Sequence, residues 1–294
     1  MQRPTGIAAA RSLPQWRRDT FDDKGAATDA NADVVLLVDT FTRYFEPENA
    51  ACAVQVLQAA GYRVAVAAPL AGAGSRPLCC GRTFLAHGLV DEARFEAKRM
   101  LDALAPHLSR GAIVVGLEPS CLLTLRDEFL ALGLGDAASE LAGRAMLIEE
   151  FLVRERTAGR LTLAFDPLPE RRALVHGHCH QKAFDVAGDV VTALRWIPDL
   201  DVAMLESSCC GMAGDFGYGA DHYDMSMRMA ELSLLPAVRN APADTLIVAD
   251  GTSCRHQIAD GTRNDARRDA LHAIRVLARA LPTNRTSTTP AGGR

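Results

Sequence analysis

The stretch Val202-Ala203-Met204-Leu205-Glu206-Ser207-Ser208-Cys209-Cys210-Gly211 reads as a short apolar strand that runs into two adjacent cysteines and a glycine. A short apolar run closed by turn residues is the mark of a strand buried on both faces. Neighbouring cysteines are hard to join to each other without strain. They can instead present two thiolates to one metal centre, and the glycine lets the backbone come close. The same triplet stands at Cys79-Cys80-Gly81. Each triplet precedes a lone cysteine at the end of a further strand pattern, Cys121 in the first half and Cys254 in the second.

Outward from these triplets the chain repeats itself. Val34–Val38 is a strand, Glu48–Ala60 a helix stopped by Gly61, Tyr62–Ala68 a strand, Asp91–Leu108 a helix, and Ala112–Leu117 a strand that meets Glu118-Pro119-Ser120-Cys121. The order returns with strands at Ala173–Val175, Val202–Leu205 and Thr245–Ala249 and a helix over Asp221–Leu235. Ala137–Phe151 reads as a helix bridging the halves. Cys80 and Cys210 are 130 positions apart, Cys121 and Cys254 are 133 apart, and Arg99-Met100 and Arg228-Met229 are 129 apart. Agreement among three spacings marks an internal repeat. The strand–helix alternation predicts an α/β fold of two repeated units, with mainly parallel sheets flanked by helices. Residues 1–31 are expected to be a disordered linker, 32–135 the first unit, 136–170 a linking helical region, 171–282 the second unit and 283–294 a disordered tail.

Composition narrows the function. The net charge of −4, with no concentrated basic patch, argues against nucleic-acid binding. No apolar run is long enough to cross a bilayer. The first residues lack the continuous apolar core of a secretory signal, so a cytoplasmic location is expected. In a reducing compartment the eight cysteines are expected to serve metal or redox chemistry rather than stable disulfides.

In open α/β sheets ligands gather beyond the carboxyl ends of the strands. The Cys-Cys pairs, Cys121, Cys179 and Cys254 all fall there, a soft donor set suited to iron–sulfur or zinc. The second half is the fuller one. Cys179, Cys209, Cys210 and Cys254 supply four thiols, and His178 and His180 flank Cys179. The first half keeps Cys79, Cys80 and Cys121 and has Asp39-Thr40 in place of His178-Cys179, so it is either a degenerate scaffold or a site completed by Asp39, Glu118 or His87. Cys52 has no counterpart and reads as a core residue within its helix. Gly211–Gly219 is a glycine-rich loop expected to wrap the site, and Met225, Met227 and Met229 are expected to pack in the core.

The motifs VDTFTRYFEPE, CCGRTF, GLEPSCLLTLRDE, HGHCHQKAF, SSCCGMAGDFGY and ADGTSCRHQIADG resemble those of the cysteine-rich CCG domain. That domain is found twice in iron–sulfur subunits of the anaerobic glycerol-3-phosphate dehydrogenase, glycolate oxidase, lactate-utilisation and heterodisulfide reductase type. The resemblance is strongest to the C-terminal region of fused proteins that join an FAD-linked oxidase to an iron–sulfur oxidoreductase. It implies a [4Fe–4S]-type cluster on this chain and FAD on a partner, an FAD-linked dehydrogenase or oxidase subunit acting on a 2-hydroxy acid such as lactate, glycolate or 2-hydroxyglutarate. A ferredoxin-type iron–sulfur domain is a further implied partner, and through such partners the chain would sit peripherally at the inner face of the membrane. The family's C-x-x-C repeat ends read here as Cys121-Leu122-Leu123-Thr124 and Cys254-Arg255-His256-Gln257, one thiol short in each. Two other readings of the same residues are a cluster-based thiol or disulfide reductase and a zinc-stabilised docking scaffold. The chain is expected to be one part of a larger enzyme, without activity on substrate by itself.

Overall fold

The computed structural model describes residues 6–22, 31–70, 72, 76–265 and 267–282. The sequence 283–294, expected to be a tail, lies outside them, as do 1–5 and 23–30 of the expected linker.

The repeat is visible in the sheets. Strands β1 (Val34–Leu37), β2 (Val64–Val66), β3 (Ile113–Gly116) and β4 (Ala145–Leu147) form one sheet in the order β2-β1-β3-β4. Strands β5 (Arg172–Val175), β6 (Asp201–Met204) and β7 (Thr245–Val248) form the other in the order β6-β5-β7. In both, the first strand lies in the middle and the next two flank it, and every pairing is parallel. Parallel strands need a crossover, and helices supply it on both faces, so the central strands carry no polar face. Val34, Val35 and Leu36 of β1 are fully buried for that reason. The second sheet keeps a trace of a fourth strand, because Leu271 makes a single parallel bridge to Val248 where β4 would lie.

One apolar core serves both lobes. It joins Val34, Leu36 and Val115 of the first sheet to Ala173, Val175 and Val248 of the second, with Leu57, Phe151, Leu194 and Leu277 between them. The helices behind this core pair across the lobes. Helix Pro47–Ala59 packs on Ala273–Arg279, and Ala187–Leu194 packs on Ile148–Thr157, which is the exchange expected of a pseudo-twofold pair. Separate clusters line the outer faces, one around Met100, Leu104, Leu122 and Phe129 and one around Met212, Leu234 and Ile258.

Three readings are corrected. The bridging helix Ala137–Phe151 is a helix (Asp136–Ala142), a strand (β4) and a second helix (Ile148–Thr157). The single helix over Asp221–Leu235 is two, Tyr223–Glu231 and Leu234–Asn240. Met225 is 47% exposed and Met227 and Met229 are half-buried rather than core, because Ser226 and Ala230 form the inward face of their helix. Within the expected N-terminal linker, residues 6–22 are packed against both lobes. Arg11 donates to Gly217 O (2.7 Å) and Ser226 Oγ (2.8 Å), and Trp16 packs at a steep angle against the rings of Tyr44 and Phe45.

Candidate metal centre

The carboxyl ends of both sheets open on one cavity of about 910 Å³ between the lobes. Cys79, Cys80 and Cys121 line it from the first lobe, and Cys179, Cys209 and Cys210 from the second. Cys254 is buried beneath Cys210 and touches it. All eight cysteines are free thiols. Cys52 is not among the cavity-lining residues and packs against the shared core.

Local structure explains how each thiol is aimed. Cys209 and Cys79 each precede a left-handed glycine two residues later, Gly211 (φ 90°) and Gly81 (φ 76°). That turn brings the glycine amide back to the first sulfur of each pair, at 3.3 Å for Gly211 N to Cys209 Sγ and 3.5 Å for Gly81 N to Cys79 Sγ. His178 caps helix Cys179–Ala183 by accepting the His180 amide, and Asp39 caps Thr40–Tyr44 in the same way. Thr40 therefore occupies in the first lobe the place of Cys179 in the second, and the donor set is a hydroxyl where it would be a thiol.

In the second lobe the thiols of Cys179, Cys209, Cys210 and Cys254 touch in that order. In the first lobe Cys79, Cys80 and Cys121 do the same. The two lobes shift their thiols differently. Contact with Cys210 draws Cys254 well below the usual thiol range, and His176 and His178 add to the effect. Contact with Cys80 pulls Cys121 down, but burial and the Asp39 and Glu118 carboxyls outweigh it and push Cys121 up to about 11. Asp39 itself is raised to about 6 by burial and by Glu118. Contacts among the thiols thus lower Cys209 and Cys254 and raise Cys179 and Cys210 in the second lobe, whereas all three thiols of the first lobe are raised. Thiolate is the form that binds metal.

The histidines sort into two groups. A nitrogen of His176, Cys210 Sγ and Cys254 Sγ lie within 4.8 Å of one another, as do donor atoms of His178, Cys179 and His180. His176 Nδ1 is held by Ser207 Oγ at 2.8 Å, while Nε2 is buried without a hydrogen-bond partner. A ligating imidazole is characteristically held by its other nitrogen, and His176 has that arrangement. Sequence reasoning passed over His176; the alternation His176-Gly177-His178-Cys179-His180 was the available signal. Burial, then the neighbouring His178, lowers His180 to about 4, leaving it a neutral donor. Lys182 was also missed. Its ammonium donates to the carbonyls of Ser207 and Ser208 and fastens the turn ahead of Cys209. His87 stands apart from the first-lobe thiols and pairs with Asp215 at 3.0 Å. Ala213, Gly214, Asp215, Tyr218 and Gly219 of the glycine-rich loop wall the cavity.

Two like lobes that turn their strand ends and cysteines onto one cleft define a duplicated cysteine-rich α/β protein with side-chain groups spaced to hold a metal. Comparison with known proteins gives that class its relatives. The chain is 29% identical over 277 residues to a subunit of the anaerobic glycerol-3-phosphate dehydrogenase of Escherichia coli (strain K12), covering 92% of this chain and 66% of that one. It is 26% identical to D-2-hydroxyglutarate dehydrogenase of the same organism over 76% of this chain and 21% of that protein. It is 24% identical to lactate utilization protein A 2 of Bacillus cereus (strain AH820), over 69% of this chain and 83% of the relative. The chain thus spans just under two thirds of the length of the first of these relatives and about a fifth of the second. No family profile matches the chain. These relatives are consistent with the resemblance that the motifs carry. Among the described residues no helix is long and apolar enough to cross a membrane.

Proposed function

We propose that this protein is the electron-transfer module of a flavin-dependent dehydrogenase, with an iron–sulfur cluster of [4Fe–4S] type held by Cys179, Cys209, Cys210 and Cys254. The observation that carries the reading is the run of neighbouring thiols from Cys179, Cys209 and Cys210 at the cavity wall to Cys254, buried behind Cys210. Four soft thiolates complete the ligand count of such a cluster. His176, His178 and His180 are the nitrogen donors beside it. When bound, the cluster supplies reversible one-electron chemistry. The chain's own residues set its surroundings: Lys182 holds the Ser207–Ser208 turn, Gly211 directs its amide at Cys209, and the apolar core behind the sheets keeps water from the buried side. Hydrogen bonds to sulfur and nearby positive charge both favour the more negative, reduced state.

Cys79, Cys80 and Cys121 face the same cavity with three thiols and opposing carboxyls, and we assign them the weaker of two sites. The partner is an FAD-bearing dehydrogenase subunit or domain that oxidises a small hydroxylated acid, of the lactate, glycolate or 2-hydroxyglutarate kind. Electrons reach an acceptor by way of a ferredoxin-type domain. The names of the relatives support the dehydrogenase partner. Residues 32–135 and 171–282 are the two functional units of this assignment, and association with a membrane is peripheral, through the partners.

Paired substitution under anaerobic conditions tests the assignment. Cys209→Ala with Cys210→Ala should remove most bound iron and the visible absorption, and Cys79→Ala with Cys80→Ala distinctly less. Equal losses from the two pairs would overturn the division of roles. Zinc in place of iron and sulfide, without visible absorption, would overturn the electron-transfer reading.

A further inference from the structure

Behind the cysteine cavity the lobes share a second group of ligating side chains, Glu149, Asp250 and His272, each at most 2% exposed. They come from distant parts of the chain. Glu149 lies in the first turn of helix Ile148–Thr157, just after β4. Asp250 follows β7, and His272 caps helix Ala273–Arg279 directly after the Leu271 bridge. Leu271 holds the place of β4 in its own sheet, so Glu149 and His272 lie at the starts of corresponding helices of the two lobes and meet where those helices begin.

The tautomer of His272 follows from its neighbours. Nε2 donates to Leu117 O at 3.0 Å, and the Ile274 amide at 3.1 Å marks Nδ1 as the unprotonated nitrogen. That nitrogen is 3.3 Å from Asp250 Oδ1 and 3.7 Å from Glu149 Oε1. Neither oxygen of Glu149 has a hydrogen-bond partner among the described residues. Asp250 is fixed by Gln181 Nε2 at 2.8 Å and by the Ala273 amide at 3.0 Å. Two buried carboxyl groups therefore crowd an imidazole nitrogen whose single lone pair is held by the Ile274 amide until an ion takes it over, and the neighbouring Arg255 donates to the carbonyls of Ala249 and Asp250 and to Glu46 rather than to the Glu149 or Asp250 carboxylate, so among the described residues their desolvation has no direct cationic partner.

The spacing is that of ligands around a small ion. Metal–nitrogen and metal–oxygen bonds of about 2.0–2.1 Å make tetrahedral edges of about 3.3–3.4 Å, close to the separations around His272 Nδ1. Ligating histidines also characteristically give their other N–H to a backbone carbonyl, as His272 gives its own to Leu117. We propose that Glu149, Asp250 and His272 bind one divalent metal ion of the zinc or manganese class, distinct from the cysteine centre, which fastens the two lobes together. Imidazole with two carboxylates suits ions of this hardness, whereas iron–sulfur chemistry selects thiolates.

The test counts metals in the full chain, purified anaerobically from medium containing both zinc and manganese, with iron and sulfide measured alongside. Glu149→Gln keeps the shape and removes the charge. His272→Asn removes the imidazole and keeps a good helix cap. The wild type should carry one equivalent of zinc or manganese that both variants lose, while iron and sulfide stay unchanged. Zinc held by the cysteines would not respond to these substitutions. In manganese-loaded protein the electron paramagnetic resonance signal of the bound ion should vanish in the variants, since thiolates compete poorly for manganese. Equal zinc and manganese in wild type and variants would overturn the proposal. So would a wild type without either ion whose stability rises on Glu149→Gln, which would identify Glu149 as a buried protonated acid. If Glu149→Gln does not fold, the metal count and manganese signal of His272→Asn decide. Iron loss in the cysteine variants tests the cluster separately.

Discussion

Alanine at Gly211 should damage the second lobe far more than alanine at Gly81 damages the first, although both residues end a Cys-Cys-Gly triplet. Gly211 has φ +90°, and a Cβ there would stand 2.3 Å from Ser226 O and 3.1 Å from Met229 Cβ. Ser226 O is backbone of helix Tyr223–Glu231, so it cannot rotate away. At Gly81 the nearest atoms to a Cβ are Ala93 O at 3.1 Å and Ala93 Cα at 3.2 Å, which a small shift relieves. The left-handed backbone alone costs a β-carbon about 1–2 kcal/mol. Overpacking against a fixed neighbour adds about 1–3 kcal/mol. Gly211→Ala should therefore cost about 2–5 kcal/mol and Gly81→Ala about 1–2 kcal/mol. For a chain of this size the larger cost lowers Tm by roughly 5–15 °C. Thermal unfolding followed by circular dichroism, on protein stripped of metal, isolates packing from ligand binding. Equal Tm for the two variants, or Gly211→Ala melting with the wild type, would refute the close-approach argument.

Glu46 and Arg255 form an ion pair across the lobes, with the Arg255 side chain 6% and the Glu46 side chain 24% exposed. Burial raises the Glu46 carboxyl, but the Arg255 guanidinium outweighs it and holds Glu46 at about 2 against an ordinary 4.5. Its stabilisation is complete above pH 4.5 and lost as pH falls toward 2; Glu46→Gln should cost about 2–3 kcal/mol at neutral pH, discounted for partial exposure, and flatten the acid limb of the stability curve. Arg11→Ala should free residues 6–22 from Gly217 and Ser226, seen as faster tryptic cleavage at Arg17 or Arg18; unchanged cleavage would show that Arg11 does not anchor the segment. Cys52→Ala should leave iron content unchanged and cost about 1 kcal/mol of stability for lost packing; measured loss of iron would count it among the ligands.

The amino-acid order by itself determined the duplication, the parallel α/β class and the seven thiols that gather at the strand ends, six lining the cavity and Cys254 buried behind them. Apolar runs such as Val34–Leu37 and Thr245–Val248 can be buried only as strands covered on both faces, and cysteines at their carboxyl ends inherit the position where α/β sheets bind ligands. Local pattern was weaker at β4, since three residues, Ala145-Met146-Leu147, carry no period and only their pairing with β3 makes them a strand. Tertiary structure alone decided what lies between the lobes. That both cysteine sets open on one cavity depends on how two sheets pack through a common core. His176 meets Cys210 and Cys254 only because parallel pairing of β5 with β6 and β7 brings their ends level. Glu149, Asp250 and His272 are each ordinary polar residues at helix or strand ends in the sequence. They converge because the pseudo-twofold packing of the lobes brings those ends together, and no spacing along the chain encodes that approach.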